Sequence, residues 1–198
     1  FLAAADADPG ATWIVKPPAS SQGRGIYLTR DPRAEVATVG LEDNVYVSRY
    51  VANPLLLEGG LKFDLRIYVA VTSFYPALRV YMYDEGLVRI ATHEFSNDPA
   101  DLGDPYVHLT NYSVQKHSKH YVTNTTGDMA STASHKWSLA ALKARLRAQG
   151  VDVGALWARI KDLVVKTMIS VESQVIPAAK MFVPHGENCY QLFGFDVL

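Results

Sequence analysis

Lys62-Phe-Asp-Leu-Arg66, continued by Ile-Tyr-Val-Ala-Val-Thr72, alternates charged and apolar residues and then becomes an unbroken β-forming run. Side chains alternate between the faces of a strand, so the stretch predicts a strand with Lys62, Asp64 and Arg66 on one face. Charges on one face of a central strand cost stability unless something compensates them. This stretch alone leaves two interpretations open, a salt-bridged solvent face and a surface that meets phosphate and metal.

The rest of the chain predicts an α+β fold, in which antiparallel sheets are backed by helices. Further strands are predicted over residues 12–15, 26–29, 45–51, 78–83, 87–92 and 189–198, and helices over residues 139–150 and 154–176. Asp84-Glu-Gly86 has the composition of a hairpin turn. Ser138 is predicted to cap the first helix and Pro177 to end the second. Residues 93–136 carry little helix or strand pattern, and segments of this length are usually functional or without fixed structure.

Composition excludes some classes of protein. The 198 residues are 48% hydrophobic and 20% charged, with a formal net charge of -1, which is ordinary for a globular domain. No nucleic-acid or membrane partner is expected from this balance, and we expect a monomer. Cys189 is the single cysteine, which rules out an internal disulfide and favours a reducing, intracellular setting. The chain lacks an initiator Met and stops within a predicted strand, so we expect it to be an excerpt of a longer protein.

Several polar groups are candidates for chemistry. Lys16 is followed by a Gly/Ser loop over residues 19–25, whose backbone N–H groups suit a polyphosphate, although most such hairpins bind nothing. Val107-His-Leu-Thr-Asn-Tyr-Ser113 is either a ligand-binding run or a turn with side-chain-to-backbone bonds. Asp196 is predicted to be buried in an apolar strand, as a metal ligand or as a satisfied carboxylate. The 6 histidines do not fall at metal-ligand spacings and are interpreted as structural or solvated.

Several short segments, taken in their order along the chain, are far more specific for one protein family than any single segment is. They are Trp13-Ile-Val-Lys-Pro17, Gln22-Gly-Arg-Gly25, Ser48-Arg-Tyr50, Asn53-Pro-Leu-Leu56, Lys62-Phe-Asp-Leu-Arg66, Glu85-Gly-Leu-Val-Arg89, His108-Leu-Thr-Asn-Tyr-Ser113, His135-Lys-Trp137 and Phe193-Gly-Phe-Asp196. Together they resemble the tubulin tyrosine ligase-like family, and within it the polyglutamylase branch. The resemblance covers the chain from Trp13 onward. It implies an ATP-grasp fold, incomplete at both ends here, with residues 12–51 as flap and hinge of the central lobe and residues 52–198 as part of the C-terminal lobe.

The resemblance also implies a reaction. The family uses ATP and Mg²⁺ to form an acyl phosphate on an acceptor glutamate, and the amine of an incoming amino acid then displaces the phosphate. The implied acceptors are the acidic C-terminal tails of tubulin in microtubules, and the implied amino acid is free glutamate. The implied location is the cytoplasm and cytoskeleton, with the cilium or basal body as a further site. A tubulin glycine ligase and a non-catalytic microtubule-binding relative remain alternatives.

Roles for individual residues follow from the same resemblance. It places Lys16, Gln22, Gly23, Ser48, Arg49, Tyr50, Val51, Lys62, Asp64, Thr110 and Asn111 at the nucleotide, Arg89, Tyr112, Ser113 and Lys136 at the incoming amino acid, and Asp196 at Mg²⁺. Lys62 and Arg66 are the implied catalytic pair, with Arg66 at the acyl phosphate. Glutamate needs a cation for its side-chain carboxylate and glycine does not, so Lys136 favours glutamate. The family's second Mg²⁺ carboxylate and its asparagine would follow Leu198, so this stretch alone is expected to be inactive.

Overall fold

The computed structural model describes residues 2–18, 22–38, 45–183, 185 and 189–198. It divides into two compact units, unit one with Phe1–Phe63 and Ile90–Val122 and unit two with Asp64–Arg89 and Thr123–Leu198. The lobe boundary expected after residue 51 stays a prediction. Residues 19–21 of the predicted Gly/Ser loop lie outside the described residues.

Unit one contains a small antiparallel sheet. Strand β1 (Trp13–Lys16) lies between β2 (Tyr27–Thr29) and β3 (Tyr46–Arg49). Trp13 is opposite Thr29 on one side and Arg49 on the other. The strands predicted over residues 12–15, 26–29 and 45–51 are thereby confirmed. Helices α1 (Leu2–Asp6) and α2 (Pro32–Thr38) belong to the same unit.

Two long strands, β5 (Leu61–Ser73) and β6 (Arg79–Glu94), contribute residues to both units. In unit one, the short strand β4 (Leu56–Leu57) pairs with the beginning of β5, with Leu56 opposite Lys62. After β6 the chain forms a 3₁₀ turn (Pro99–Asp101), α3 (Pro105–His108) and α4 (Tyr112–Gln115). The Asp98 carboxylate accepts a backbone N–H group at the start of the 3₁₀ turn, and the Asp104 carboxylate does the same at the start of α3. Both act as capping residues.

In unit two the strand order is β8-β5-β6-β7, where β7 is Lys136–Ser138 and β8 is Gln191–Val197. Strand β8 runs antiparallel to β5 and sets Asp196 opposite Arg66. Strand β7 runs antiparallel to β6 and sets Lys136 opposite Arg89. The predicted α+β class with antiparallel sheets and helices is confirmed.

Helices α5 (Leu139–Ala148) and α6 (Val153–Phe182) follow β7. The Ser138 hydroxyl accepts the Ala141 N–H at 3.0 Å, which confirms the predicted cap. The buried side chains of α6 recur every three or four residues, as expected for one helix face against a core: Val153, Trp157, Ile160, Val164 and Met168. No helix in the described ranges combines the length and the apolar character needed to cross a membrane.

The prediction that Pro177 ends the second helix is wrong, because α6 continues through it to Phe182. A proline inside a helix costs roughly 3 kcal/mol but does not forbid the conformation. The residues that follow, Ala178-Ala-Lys-Met181, are all strong helix formers and favour another turn.

The hairpin turn predicted at Asp84-Glu-Gly86 is also wrong, because these residues lie inside the continuous strand β6. A Cβ atom on Gly86 would lie 2.4 Å from the carbonyl oxygen of Arg66 and 3.0 Å from Leu139 Cδ1. Glycine is therefore needed here for the close approach of a neighbouring backbone, a role that composition alone does not separate from a turn.

The substitution Gly86→Ala tests this reading of the strand. The added methyl group cannot fit beside the Arg66 carbonyl, so we expect the free energy of unfolding to fall by about 1–3 kcal/mol or more. Urea denaturation of wild type and variant measures the change. Gly103→Ala is the matched control, since a Cβ there meets nothing within 4 Å. Equal losses in the two variants would contradict the close-packing account.

Candidate functional site

The first candidate cluster, in unit one, surrounds the ammonium group of Lys62, a residue that is only 3% exposed. Its Nζ donates to Tyr50 Oη and to the carbonyl oxygen of His108, both at 2.9 Å. The same atom lies 4.5 Å from the centroid of the Tyr50 ring and 6.0 Å from that of Phe95. A lysine this deeply buried is not part of a solvent face, so that interpretation of the β5 charges is wrong for Lys62.

Hydrogen bonds continue outward from Lys62 in a chain that we call the lysine network, made of Lys62, Tyr50, His108 and Asp101. Tyr50 Oη lies 3.0 Å from His108 Nδ1, and His108 Nε2 lies 3.1 Å from the carbonyl oxygen of Asp101. Burial lowers the pKa of His108, opposed by the bond to Asp101 and reinforced by the charge of Lys62. Burial raises the pKa of Tyr50. The histidine and the phenol are thus held neutral beside the ammonium group.

Gln115 anchors the segment that follows α3. It is 1% exposed, and its Oε1 accepts the backbone N–H of Thr92 at 2.9 Å. Its Nε2 donates to the carbonyl oxygen of Tyr106 at 3.2 Å and to that of Leu109. One buried amide therefore joins the end of β6 to both ends of α3, and it fixes the backbone directly before Thr110.

The predicted flap residues meet the same segment. The Ser113 hydroxyl donates to the carbonyl oxygen of Gln22 at 2.6 Å. Gln22 has a φ of 65° and Gly23 a φ of 78°, the left-handed region that glycine tolerates best. A Cβ on Gly23 would lie 3.2 Å from Asn111 Oδ1. The structure thus brings together residues that the resemblance assigns to the nucleotide and Ser113, which it assigns to the amino acid.

The other predicted residues of unit one are less concentrated. Lys16 is exposed at the end of β1, opposite Tyr46. Arg49 forms an ion pair with Asp8, and the Tyr50 N–H donates to the Thr12 carbonyl at 2.9 Å. The remaining predicted site residues of unit one differ in exposure. Ser48 and Val51 are exposed, Tyr112 is exposed with its ring edge-on to that of Tyr121, and Thr110 is buried.

The second candidate cluster, in unit two, alternates two arginines with two aspartates, and we call it the Arg–Asp cluster. Arg89 Nε donates to Asp64 Oδ1 at 2.7 Å, and its Nη2 binds the other oxygen of Asp64. The same Nη2 lies 3.0 Å from Asp196 Oδ1. Arg66 approaches that carboxylate with Nε at 2.6 Å and Nη2 at 3.3 Å. Paired contacts of this kind are the strong, orienting form of the arginine–carboxylate bond.

Burial differs within the Arg–Asp cluster. Asp64 is 5% exposed, whereas the side chain of Asp196 is 46% exposed, so the expectation that Asp196 is buried is wrong. Exposure alternates along β8, and Asp196 is one of its exposed residues. The arginines supply the charged partners that the apolar residues of the strand cannot. Gly194 makes room for Arg66, because a Cβ there would lie 3.2 Å from Arg66 Cδ and Nη1.

Charge within the cluster sets the ionisation of its members. Burial alone would raise the pKa of Asp196, but the bonds and charges of Arg66 and Arg89 outweigh it and lower that pKa. Burial alone would lower the pKa of Arg89, but Asp64 and then Asp196 outweigh it and raise that pKa. Both remain charged, and the cluster is a fixed array of opposite charges at neutral pH.

The donor set can be tested against Mg²⁺, which the resemblance implies. No group of three or more His, Cys, Asp or Glu that could hold a metal ion occurs in the part of the chain that the structure describes. Magnesium at phosphate sites is usually held by one or two carboxylates together with substrate phosphates. Asp196, ionised and half-exposed, fits as one such ligand, with Arg66 competing for the same oxygens.

Several contributing residues were not recognised as such from sequence. Phe95, Asp101 and Gln115 carry no signal that separates them from ordinary loop residues. His108 was interpreted as structural or solvated, although it directly precedes Leu109-Thr-Asn111, and this position was a usable signal. The resemblance places Tyr50 at the nucleotide without a role for its side chain, which belongs to the lysine network.

The antiparallel α+β architecture is the fold class that the ordered segments imply. The chain belongs to the tubulin-tyrosine ligase family, whose model matches residues 1–198. It is 46% identical over 186 residues to the tubulin polyglutamylase TTLL5 of Mus musculus, covering 94% of this chain and 14% of that protein. It is 44% identical over 186 residues to the tubulin monoglutamylase TTLL4 of Homo sapiens (94% and 15%), and 39% identical over 194 residues to the tubulin polyglutamylase TTLL7 of Xenopus tropicalis (94% and 20%).

These relatives confirm the expected family and its polyglutamylase branch. Asn53-Pro-Leu-Leu56 and the run from Phe182 to His185 also predict a likeness to the fifth vertebrate member, which the TTLL5 match bears out. The chain spans 14% to 25% of the length of these and similar curated relatives.

Gln115→Leu tests the anchoring role of the buried amide. The apolar side chain leaves the Thr92 N–H and the Tyr106 and Leu109 carbonyl groups without their partner, at about 1–3 kcal/mol for each group left unsatisfied. We expect the free energy of unfolding to fall by at least about 3 kcal/mol in urea denaturation. The same substitution at Gln174, exposed on α6, is the control and should change stability by less than about 0.5 kcal/mol. A Gln115→Leu variant as stable as this control would contradict the proposed anchoring.

Asp196→Asn tests the charge array through pH. Because the pKa of Asp196 is lowered on folding, its stabilisation is fully present above the unfolded value of about 4 and is lost as pH falls through the folded pKa. Wild type should therefore lose more stability than the variant below about pH 4, as measured by urea unfolding across pH 2–7. Asp162→Asn, on an exposed α6 pair, is the control. Parallel stability curves for wild type and Asp196→Asn would refute the pairing.

Proposed function

We propose that the complete protein is an ATP-dependent ligase that adds glutamate to glutamate side chains, or to existing glutamate chains, on the C-terminal tails of tubulin. The names of the TTLL5, TTLL4 and TTLL7 relatives support this activity, at 46%, 44% and 39% identity. The observation that carries the proposal is the Arg–Asp cluster. A ligase of this kind handles an acceptor carboxylate, a phosphoryl group and an amino-acid carboxylate, and guanidinium groups fit all three.

The proposed reaction has two balanced steps. An oxygen of the acceptor carboxylate attacks the γ-phosphorus of ATP, and ADP leaves. The amine nitrogen of free glutamate then attacks the acyl carbon, the carbon–oxygen bond to phosphate breaks, and the nitrogen loses a proton. The products are an amide, ADP and inorganic phosphate. Such chemistry depends mainly on positioning and on cations around the transferred group.

Residues of this chain divide between these tasks in the proposal. Lys16, Lys62, Gln22, Gly23, Thr110 and Asn111 bind the nucleotide, together with the backbone of Ser48, Arg49, Tyr50 and Val51. Arg66 orients the acyl phosphate, and Asp196 supplies a ligand for Mg²⁺, which would neutralise phosphate charge. Asp64 is assigned to the nucleotide site. Its two oxygens also hold the guanidinium plane of Arg89, which supports a part for Asp64 in orienting that arginine.

Glutamate is favoured over glycine as the added amino acid. Arg89 and Lys136 are directly opposite each other on β6 and β7, and residues so paired project from the same face of a sheet. Arg89 is proposed to bind the main-chain carboxylate and Lys136 the side-chain carboxylate. The resemblance assigns Tyr112 and Ser113 to the same amino acid. Glycine has no second carboxylate and would leave Lys136 without a function there.

The proposal extends to partners and location. Tubulin tails in microtubules are the acceptors, so the protein is expected at the cytoskeleton, including cilia or basal bodies. We expect the complete protein to act as a monomer, with no nucleic-acid or membrane partner.

Tail masses test the proposed activity directly. The complete protein is incubated with microtubules, ATP, Mg²⁺ and either glutamate or glycine, and tubulin tails are analysed by mass spectrometry. Glutamate increments are expected, and Lys62→Met and Asp196→Asn should each reduce them by at least about 100-fold, because the first removes a cation from the reacting phosphates and the second removes a proposed ligand of Mg²⁺.

Matched changes on the exposed Lys166–Asp162 pair of α6, Lys166→Met and Asp162→Asn, should leave the increments unchanged. Glycine increments would replace the glutamate proposal by the glycine ligase. A folded wild-type protein that adds neither amino acid to any tail would overturn the tubulin proposal.

A further inference from the structure

The ammonium group of Lys62 is held from more than one side. Tyr50 follows β3 and His108 ends α3, and the two acceptors of Lys62 therefore come from separate parts of unit one. A free lysine side chain samples many rotamers and has no preferred position. Acceptors from separate elements restrict it to one position, and neither of these two groups carries a negative charge.

The direction of each hydrogen bond in the lysine network is fixed by chemistry. The Asp101 carbonyl can only accept, so His108 Nε2 carries the hydrogen in that bond. In the neutral ring, His108 Nδ1 is then an acceptor and takes the hydroxyl hydrogen of Tyr50. With its own hydrogen directed at His108, the Tyr50 oxygen presents lone pairs to Lys62 Nζ. For a neutral His108 ring, this is the assignment that satisfies all of these contacts at once.

Aromatic rings enclose the same group. The Tyr50 and Phe95 rings are stacked with centroids 6.5 Å apart, and the His108 ring stands edge-on to both, at 5.5 Å and 5.9 Å. The Tyr50 and Phe95 rings limit sideways movement of the Lys62 ammonium and attract it through their faces. Hydrogen bonds and rings together define one location for the charge.

We propose that Tyr50 and His108 are positioning residues for Lys62, holding its ammonium group at the point where it meets a nucleotide phosphate. The Asp101 carbonyl sets the hydrogen on His108, His108 turns the Tyr50 hydroxyl, and that hydroxyl fixes Lys62. The inference rests on the proposed function only in its last step, the identity of the phosphate ligand. It gives the Tyr50 side chain and His108 roles that neither the resemblance nor the proposed reaction assigns to them.

Tyr50→Phe is the sharpest test, because it keeps the ring and removes only the oxygen. We expect the dissociation constant for ATP, measured by isothermal titration calorimetry on the complete protein, to rise about tenfold, the effect of losing about 1.4 kcal/mol. The KM for ATP should rise with it, while the KM for glutamate stays unchanged. Tyr46→Phe, an exposed tyrosine on β3, is the matched control and should bind ATP as wild type does.

A second pair of variants keeps the inference testable if Tyr50→Phe does not fold. His108→Asn retains an acceptor near the Nδ1 position, whereas His108→Phe retains ring size without one. We expect the asparagine variant to bind ATP at least threefold more tightly than the phenylalanine variant. Equal affinities in this pair would overturn the positioning role.

Failure of this inference can be told apart from failure of the proposed function. A wild-type protein that ligates glutamate, with unchanged ATP affinity in Tyr50→Phe, would overturn the positioning role and leave the ligase intact. A wild-type protein that ligates nothing, but binds ATP tenfold more tightly than Tyr50→Phe, would support the positioning role alone. If the variants lose stability but keep the ATP affinity and both KM values of the wild type, the network is purely structural and the inference is overturned.

Discussion

Burial of ionised side chains on β5 is the constraint on which the polar structure of both units depends. Lys62 and Asp64 lie on the same strand and are almost inaccessible to solvent. Moving such ions out of water costs several kcal/mol each unless new bonds replace the lost hydration. In unit one, neutral oxygens and aromatic faces replace part of the lost hydration of Lys62. In unit two, the paired contacts of Arg89 replace that of Asp64.

These two solutions have different chemical consequences. The Tyr50 hydroxyl and the His108 carbonyl are neutral acceptors of Lys62, and a phosphate oxygen is a natural complement to an ammonium group fixed by them. In the Arg–Asp cluster, by contrast, each guanidinium already has a carboxylate partner. An incoming carboxylate or phosphoryl group must compete with Asp196, which is the exposed member and the one that binding of Mg²⁺ would draw away from Arg66. The proposed site is therefore held together by the contacts that substrates would exchange.

Local patterns in the sequence predicted the features that depend on local physics. Alternation along residues 62–72 predicted β5, and a serine before an apolar helical repeat predicted the cap of α5, because neighbours in sequence decide both. Features that depend on distant packing were missed. Gly86 is needed because the Arg66 backbone lies close to it, and the three bonds of Gln115 join segments that no local pattern connects. The continuation of α6 through Pro177 is different, because the good helix formers after the proline are a local signal. The residues at the candidate site came from an ordered family pattern, and the contacts among them required the structure.

A structure of the complete protein with Mg²⁺ and a non-hydrolysable ATP analogue tests the central claim most directly, namely that the charges on β5 exist to meet a nucleotide. The account predicts a phosphate oxygen within hydrogen-bond distance of Lys62 Nζ, with Tyr50 Oη still in contact with that nitrogen. It also predicts Asp196 among the ligands of Mg²⁺. A nucleotide bound with its phosphates away from Lys62, while Asp196 remains paired with Arg66, would contradict it.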